Sequence, residues 1–137
     1  MAAALSDNLR KLLDGPVFVI LATIQPDGRP QVSPVWVRRD GDDLLISTTV
    51  DRRKARNIRR DPRVSVVVQP ADAPYEYAEI RGTATLTTEG GRELIDELSL
   101  KYTGRRYAEF NPASAQEAER VVVRVTPEKA VGMGSLT

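Results

Sequence analysis

Neither cysteine nor histidine occurs among the 137 residues. The first absence excludes disulfides, thiolate metal sites and cysteine nucleophiles. The second removes His-ligated metals, His-ligated haem, imidazole general bases and the usual serine triads. Aromatic residues make up only 5% of the chain, with a single tryptophan, Trp36. No apolar run approaches the length of a bilayer span, so no membrane partner is expected. The start, Met1 to Asp7, has no basic region ahead of an apolar run. No signal peptide is read there, and a cytoplasmic protein is expected. An excess of charge is also missing: 20 basic residues face 19 acidic ones, a net charge of +1. A general nucleic-acid binder would more often be basic throughout. No repeat, low-complexity tract or linker interrupts residues 1–137, and the length suits one domain with its own core.

What is present reads as short strands with few helices. Ser6 to Asp14 forms a helix with Leu9, Leu12 and Leu13 on one face and Gly15 as its stop. Val17 to Ile24, Gln31 to Arg39 and Asp43 to Thr48 read as strands joined by Asp-Gly turns, with Pro34 marking an edge or bulge. Val64 to Gln69 and Tyr77 to Thr87 follow, with Gly82 placed to bend the longer one. Glu89 to Tyr102 is amphipathic, Gly104 to Glu119 is a polar surface excursion, and Arg120 to Thr126 is a last strand. Six strands and short helices predict a small antiparallel barrel.

One segment carries most of the information. Thr48 to Arg63 follows a strand, opens with Asp51 as N-cap candidate, and holds Arg52, Arg53, Lys54, Arg56, Arg59, Arg60 and Arg63. A helix N-terminus favours an anion through its unpaired N–H groups and dipole, and Arg adds forked donors. Cations in that first turn oppose the dipole and cost stability until an anion arrives. A solvated helix face would use the same residues, since Arg is a good helix former. Asp51 and Asp61 offset only part of the charge, which favours a phosphate clamp. Hydroxyls of Thr23, Ser33, Ser47, Thr48 and Thr49 sit on or beside successive strands and suit a hydrogen-bonding pocket wall, although Thr is also simply a good strand former. Trp36 serves as a stacking platform or as core. Tyr75 and Tyr77 cover a pocket or an interface. There is no Gly-x-Gly-x-x-Gly opening a βαβ unit, no Walker motif and no evident metal-ligand set. Redox chemistry remains open where a cofactor carries it.

Ile20-Leu21-Ala22-Thr23-Ile24 followed by Asp27 to Trp36 resembles the opening hairpin of the pyridoxamine-phosphate-oxidase-like split β-barrels. Arg53-Lys54-Ala55-Arg56-Asn57-Ile58 with Asp61-Pro62-Arg63-Val64 resembles that family's phosphate-binding helix and the strand after it. Gly82-Thr83-Ala84 matches a Gly-x-Ala step on the long strand, and the likeness runs over residues 5–130. Within the group, the chain is most similar to the small actinobacterial flavin/deazaflavin oxidoreductases that use coenzyme F420. It has no His, unlike the true pyridoxamine-phosphate oxidases, so oxidation of pyridoxamine phosphate is not expected.

The resemblance implies a mainly β, six-stranded split barrel acting as a homodimer with two cofactors at the interface. It places the cofactor phosphate on Arg52, Arg53 and Lys54, with Ser47, Thr48 and Thr49 against phosphate or ribityl oxygens. Ser33, Pro34, Val35 and Trp36 would line the ring. Arg56 and Arg60 would extend a basic track to the oligoglutamate tail of F420. Trp36, Tyr75, Tyr77 and the 104–118 segment are left for a small-molecule substrate, and no protein side chain is assigned as catalytic. The implied activity is hydride transfer from reduced F420 to an enone, quinone or tetrapyrrole-like acceptor. An FMN flavoprotein of the same fold is the alternative. A non-enzymatic cofactor carrier or nucleic-acid-binding module is a further one, and the near-neutral charge disfavours nucleic acid.

Overall fold

The structure is a computed structural model describing residues 2–137. Its elements, in chain order, are α1 (Asp7–Asp14), β1 (Val19–Ile24), β2 (Pro30–Val35), β3 (Arg38–Asp40), β4 (Asp43–Thr49), α2 (Arg53–Arg60), β5 (Arg63–Val68), β6 (Tyr77–Thr87), α3 (Gly91–Thr103), α4 (Tyr107–Phe110), a 3-10 turn (Pro112–Gln116) and β7 (Arg120–Met133). The strands form one antiparallel sheet in the order β2-β1-β5-β6-β7-β4-β3. Its two edges, β2 and β3, are neighbours in sequence, separated only by Trp36 and Val37. The three Cα steps from Val35 to Arg38 span at most about 11 Å, so the sheet must curl until its edges nearly meet. That is a barrel with a split in its wall.

The sheet has seven strands, not the six expected. The run from Gln31 to Arg39 breaks at Trp36-Val37 because the Val37 N–H leaves the ladder and donates to Tyr102 Oη (3.1 Å). The last strand is also longer than its apolar run, reaching Met133 instead of Thr126, because β6 pairs along its whole length with β7. The bend expected at Gly82 is present as a register shift between Arg81 and Gly82. A Cβ on Gly82 would stand 2.2 Å from the Thr126 carbonyl oxygen, so only glycine lets the two backbones approach there.

The α1 boundaries match the expectation. Ser6 caps it by accepting from the Leu9 N–H (3.1 Å), and Gly15 ends it. Leu9 and Leu13 enter the barrel core beside Val19, Leu21, Ile46, Ile58, Val66, Val68, Ile80 and Val123. A second apolar cluster lies outside the barrel wall, where α3 presses Leu94 and Leu98 onto Leu45 and Val122, with Trp36 and Tyr102 at its margin. β4 serves both clusters by alternation: Leu44 and Ile46 face the barrel interior, and Leu45 faces α3. Burying a leucine side chain contributes about 1.5–3 kcal/mol. The second cluster therefore holds α3 firmly against the sheet.

Candidate functional site

Asp51 does not cap α2. Its Oδ1 accepts from Thr49 Oγ1 (2.6 Å), and the cap position falls to Arg52. A guanidinium has no acceptor to offer, and the first turn holds no acidic residue. The helix therefore begins with three cations, Arg52, Arg53 and Lys54, against its own dipole. The opposite face is what anchors it. Ala55, Asn57 and Ile58 are buried, and Asn57 Nδ2 donates to Thr23 Oγ1 (3.0 Å), which donates in turn to Gln31 Oε1 (2.8 Å). Sequence reasoning placed Thr23 among pocket hydroxyls; its role here is to fix α2 to β1 and β2.

A cleft of about 340 Å³ opens beside this helix start, between the β2–β3 junction, β4, β7 and the layer of α3 and α4. Phe18, Trp36, Tyr107 and Phe110 give it an aromatic side, while Ser47, Arg52 and Arg120 give it a polar one. Pro34 and Val35 line it with Ile95 and Leu98. The volume lies within the usual range for small-molecule sites. A second groove, lined by Asp14, Arg38, Arg39, Glu97, Leu98 and Lys101, is of similar size. Its charges are already paired, Arg39 with Asp14 and Arg38 with Glu97, and Lys101 donates to the Leu13 and Val37 carbonyls. Its arginines thus already face carboxylate partners.

The aromatic side is built around Trp36. Its ring stacks on Tyr102 with centroids 5.3 Å apart and planes at 12°, and Phe110 leans on it at 5.5 Å. Phe18 meets Tyr102 edge-on at 5.5 Å. The Tyr102 hydroxyl donates to the Val17 carbonyl (2.6 Å) and so ties α3 to the chain just before β1. Burial raises the Tyr102 pKa, which keeps the hydroxyl protonated. Both uses foreseen for Trp36 are thus combined: it packs at the margin of a core cluster and also walls the cleft.

The expected site residues fall into two sets. Pro34, Val35, Trp36, Ser47 and Arg52 share the cleft. Thr49 is buried beside Asp51, and Thr48 alternates to the barrel-interior side with Ile46. Ser33 also faces inward, opposite Leu21, with a buried Oγ that finds no partner among the described residues. Arg53 and Arg56 are exposed on α2, while the Arg60 guanidinium donates to the Ile24 carbonyl. Tyr75, in the turn before β6, and Tyr77, at its first residue, are exposed and outside the cleft of their own chain. Sequence reasoning missed Phe18 and Arg120, and held Tyr107 and Phe110 only as unnamed members of the 104–118 segment. The one signal for the latter two was the i, i+3 aromatic pair of Tyr107 and Phe110 inside an otherwise polar stretch.

Lys54 reports the field of this site. It is half-buried, and burial together with the charges of Arg52 and Arg120 holds its pKa below the ordinary value. A cation with a depressed folded-state pKa destabilises the fold while it stays charged. That cost is relieved as pH rises from the folded value toward the unfolded value of 10.5. Thermal melts across this window should therefore show Lys54 favouring the fold increasingly as pH rises. Lys54→Met should flatten that trend, stabilise the ligand-free protein at neutral pH and weaken anion binding. A melt unchanged by the substitution at every pH would contradict this picture.

The chain matches the family model described as pyridoxamine 5'-phosphate oxidase over residues 5–133. It belongs to the pyridoxamine 5'-phosphate oxidase family. It is similar to a solved structure named F420 reductase, at 32% identity and a TM-score of 0.80, covering 92% of this chain and 98% of that one. A conserved hypothetical protein of Mycobacterium tuberculosis shares the fold at 22% identity and a TM-score of 0.75, over 99% of this chain and 92% of that one. So does General Stress Protein 26 of Bacillus anthracis, at 18% identity and a TM-score of 0.68, over 93% and 92%. Among the described residues no helix is long and apolar enough to cross a membrane.

Proposed function

We propose that the protein is an F420-dependent oxidoreductase whose cofactor lies in the cleft between Trp36 and Arg52. The observation that carries the reading is the cleft's two-sided wall: an aromatic side for a planar ring and, at the start of α2, cations for a phosphate. The 32% identity to a protein named F420 reductase supports the deazaflavin over other planar cofactors. The residues present fit such a group. Pro34, Val35 and Trp36 would face the ring, and Ser47, Arg52 and Lys54 the phosphate, with Arg53 adding charge from solvent. Arg56 is exposed and makes no ion pair among the described residues, so it is free for an anionic tail. Arg60 would first have to release the Ile24 carbonyl.

When bound, the reduced deazaflavin supplies a hydride to a conjugated, electron-poor acceptor such as an enone or quinone. The chain itself supplies orientation, an aromatic wall and fixed dipoles. With no imidazole available, the polar groups on the cleft wall are Ser47, Tyr107, Arg52 and Arg120. FMN would use the same wall and the same cations, and it is the second reading.

A homodimer completes the proposal. Phe18, Ile20, Val32, Val67, Tyr77 and Met133 are all large, apolar and exposed on the outside of the barrel. Ile20 opposes Val67, and Tyr77 opposes Met133, in the sheet register. Phe18 also borders the cleft, so a second copy seated on this face would stand next to the ligand. Tyr75 and Tyr77 would meet substrate only across such an interface. Ile20→Glu should convert dimer to monomer in light scattering, whereas a wild-type monomer would remove the dimer from the proposal.

The activity is tested by following reoxidation of reduced F420 under anaerobic conditions against a panel of enones and quinones. Turnover with any member supports the reductase. Tight binding without turnover across the panel would favour a cofactor carrier.

A further inference from the structure

Arg120 opens β7 opposite Thr49, and its side chain is only 10% exposed. One edge of its guanidinium is saturated. Nε donates to Glu117 Oε2 (3.2 Å), and Nη2 donates to Glu117 Oε2 (2.9 Å), to Glu117 Oε1 (3.1 Å) and to the Tyr107 hydroxyl. The other edge is not. Nη1 carries two hydrogens and, among the described residues, makes one long bond, to Ser47 Oγ (3.3 Å), on the cleft wall that Arg52 shares.

The saturated edge is itself well braced. Glu117 Oε1 accepts from the Tyr107 hydroxyl (2.7 Å) and from Asn111 Nδ2 (3.1 Å), and the Arg120 guanidinium lies 4.8 Å from the centre of the Tyr107 ring. Burial opposes ionisation of Glu117, but the bonds from Tyr107 and Arg120 outweigh it and hold its pKa below the ordinary value. A guanidinium held through Nε and Nη2, with one Nη1 N–H unpaired on the cleft wall, is placed to give an oxyanion a charge-assisted hydrogen bond.

We infer that Arg120 is a further ligand-binding residue, its unpaired Nη1 N–H joining Ser47 and Arg52 on the phosphate oxygens of the cofactor, with Glu117 and Tyr107 as its positioning residues. This rests on the cofactor reading above. It adds a cation from the far end of the chain to a clamp otherwise built from α2. It also gives the 104–119 segment a task, since Tyr107, Asn111 and Glu117 all lie within it.

The test compares ligands with and without the phosphate: coenzyme F420 against its phosphate-free deazaflavin chromophore, and FMN against riboflavin. Dissociation constants come from Trp36 quenching and calorimetry. The wild type should prefer the phosphate-bearing member of the pair it binds. Arg120→Met and Arg120→Lys should each lower that member's affinity by about 10-fold or more and leave the phosphate-free member unchanged. Glu117→Gln should produce a smaller loss with the same selectivity. Should Arg120→Met fail to fold, Arg120→Lys keeps charge and stem and still removes the guanidinium that Glu117 and Tyr107 hold in place. Equal losses for both members of a pair would make Arg120 a structural tie between α4 and β7 and overturn the inference. So would no loss at all. A wild type that ignores the phosphate, or binds neither pair, would overturn the cofactor reading itself and the inference with it.

Discussion

Replacing Arg52 and Lys54 together by alanine should weaken phosphate-bearing cofactor by at least about 100-fold, at roughly 10-fold for each charged hydrogen bond lost. The fold should survive. Neither residue makes an ion pair among the described residues, and α2 is held by Ala55, Asn57 and Ile58 on its other face. The ligand-free double variant should be no less stable than the wild type, because it removes two cations from a helix N-terminus that no acidic residue balances. Affinity and stability thus move in opposite directions. That separates an anion site from an ordinary solvated helix face, where both would stay within a few tenths of a kcal/mol. Calorimetric titration together with thermal melts reads both quantities. Unchanged affinity would remove the clamp.

The second large effect is structural. Gly82→Ala should cost about 3 kcal/mol and lower Tm on the order of 10 °C. Its Cβ would be driven into the Thr126 carbonyl, and to escape, β6 and β7 must separate at the bulge. Gly28→Ala is the control. Gly28 has φ +88° but open space around its Cβ, so only the left-handed backbone cost of about 1 kcal/mol applies. Equal destabilisation by the two substitutions would mean that the close approach at Gly82 is not what demands glycine. Since β7 begins at Arg120 and β6 runs beside it, Gly82→Ala should also loosen the cleft, seen as weaker ligand binding below Tm.

Much of this was legible in the sequence because the signals are local. Ser6 and Gly15 bracket α1, Asp-Gly pairs mark the turns, and the cations of α2 crowd into one short stretch. Gly82 announced its bulge, since a lone glycine in a long strand is rarely there for propensity. The failures share a different cause. The break at Val37 is made by the Tyr102 hydroxyl, 65 residues away. The extra length of β7 is made by pairing with β6, and residues 127–133 carry no strand signal of their own. Asp51 resembles a cap but is drawn back to Thr49. Tyr107 and Arg120 enter the site through a network that closes only in three dimensions. No periodicity in a polar segment encodes it.

The proposed cofactor cleft is walled by Trp36 and charged by α2. The most direct measurement is a titration of the ligand-free protein with F420 and with FMN at equal ionic strength, following fluorescence of its single tryptophan. Trp36 lines the cleft, so a ring entering there should quench it. The expected result is saturable quenching by F420 at micromolar concentration or below, weaker for FMN and weaker for both in the Arg52→Ala, Lys54→Ala variant. Tight FMN with weak F420 would move the protein to the flavin side of the same fold. No binding of either, by quenching or by calorimetry, would mean that the cleft holds neither cofactor.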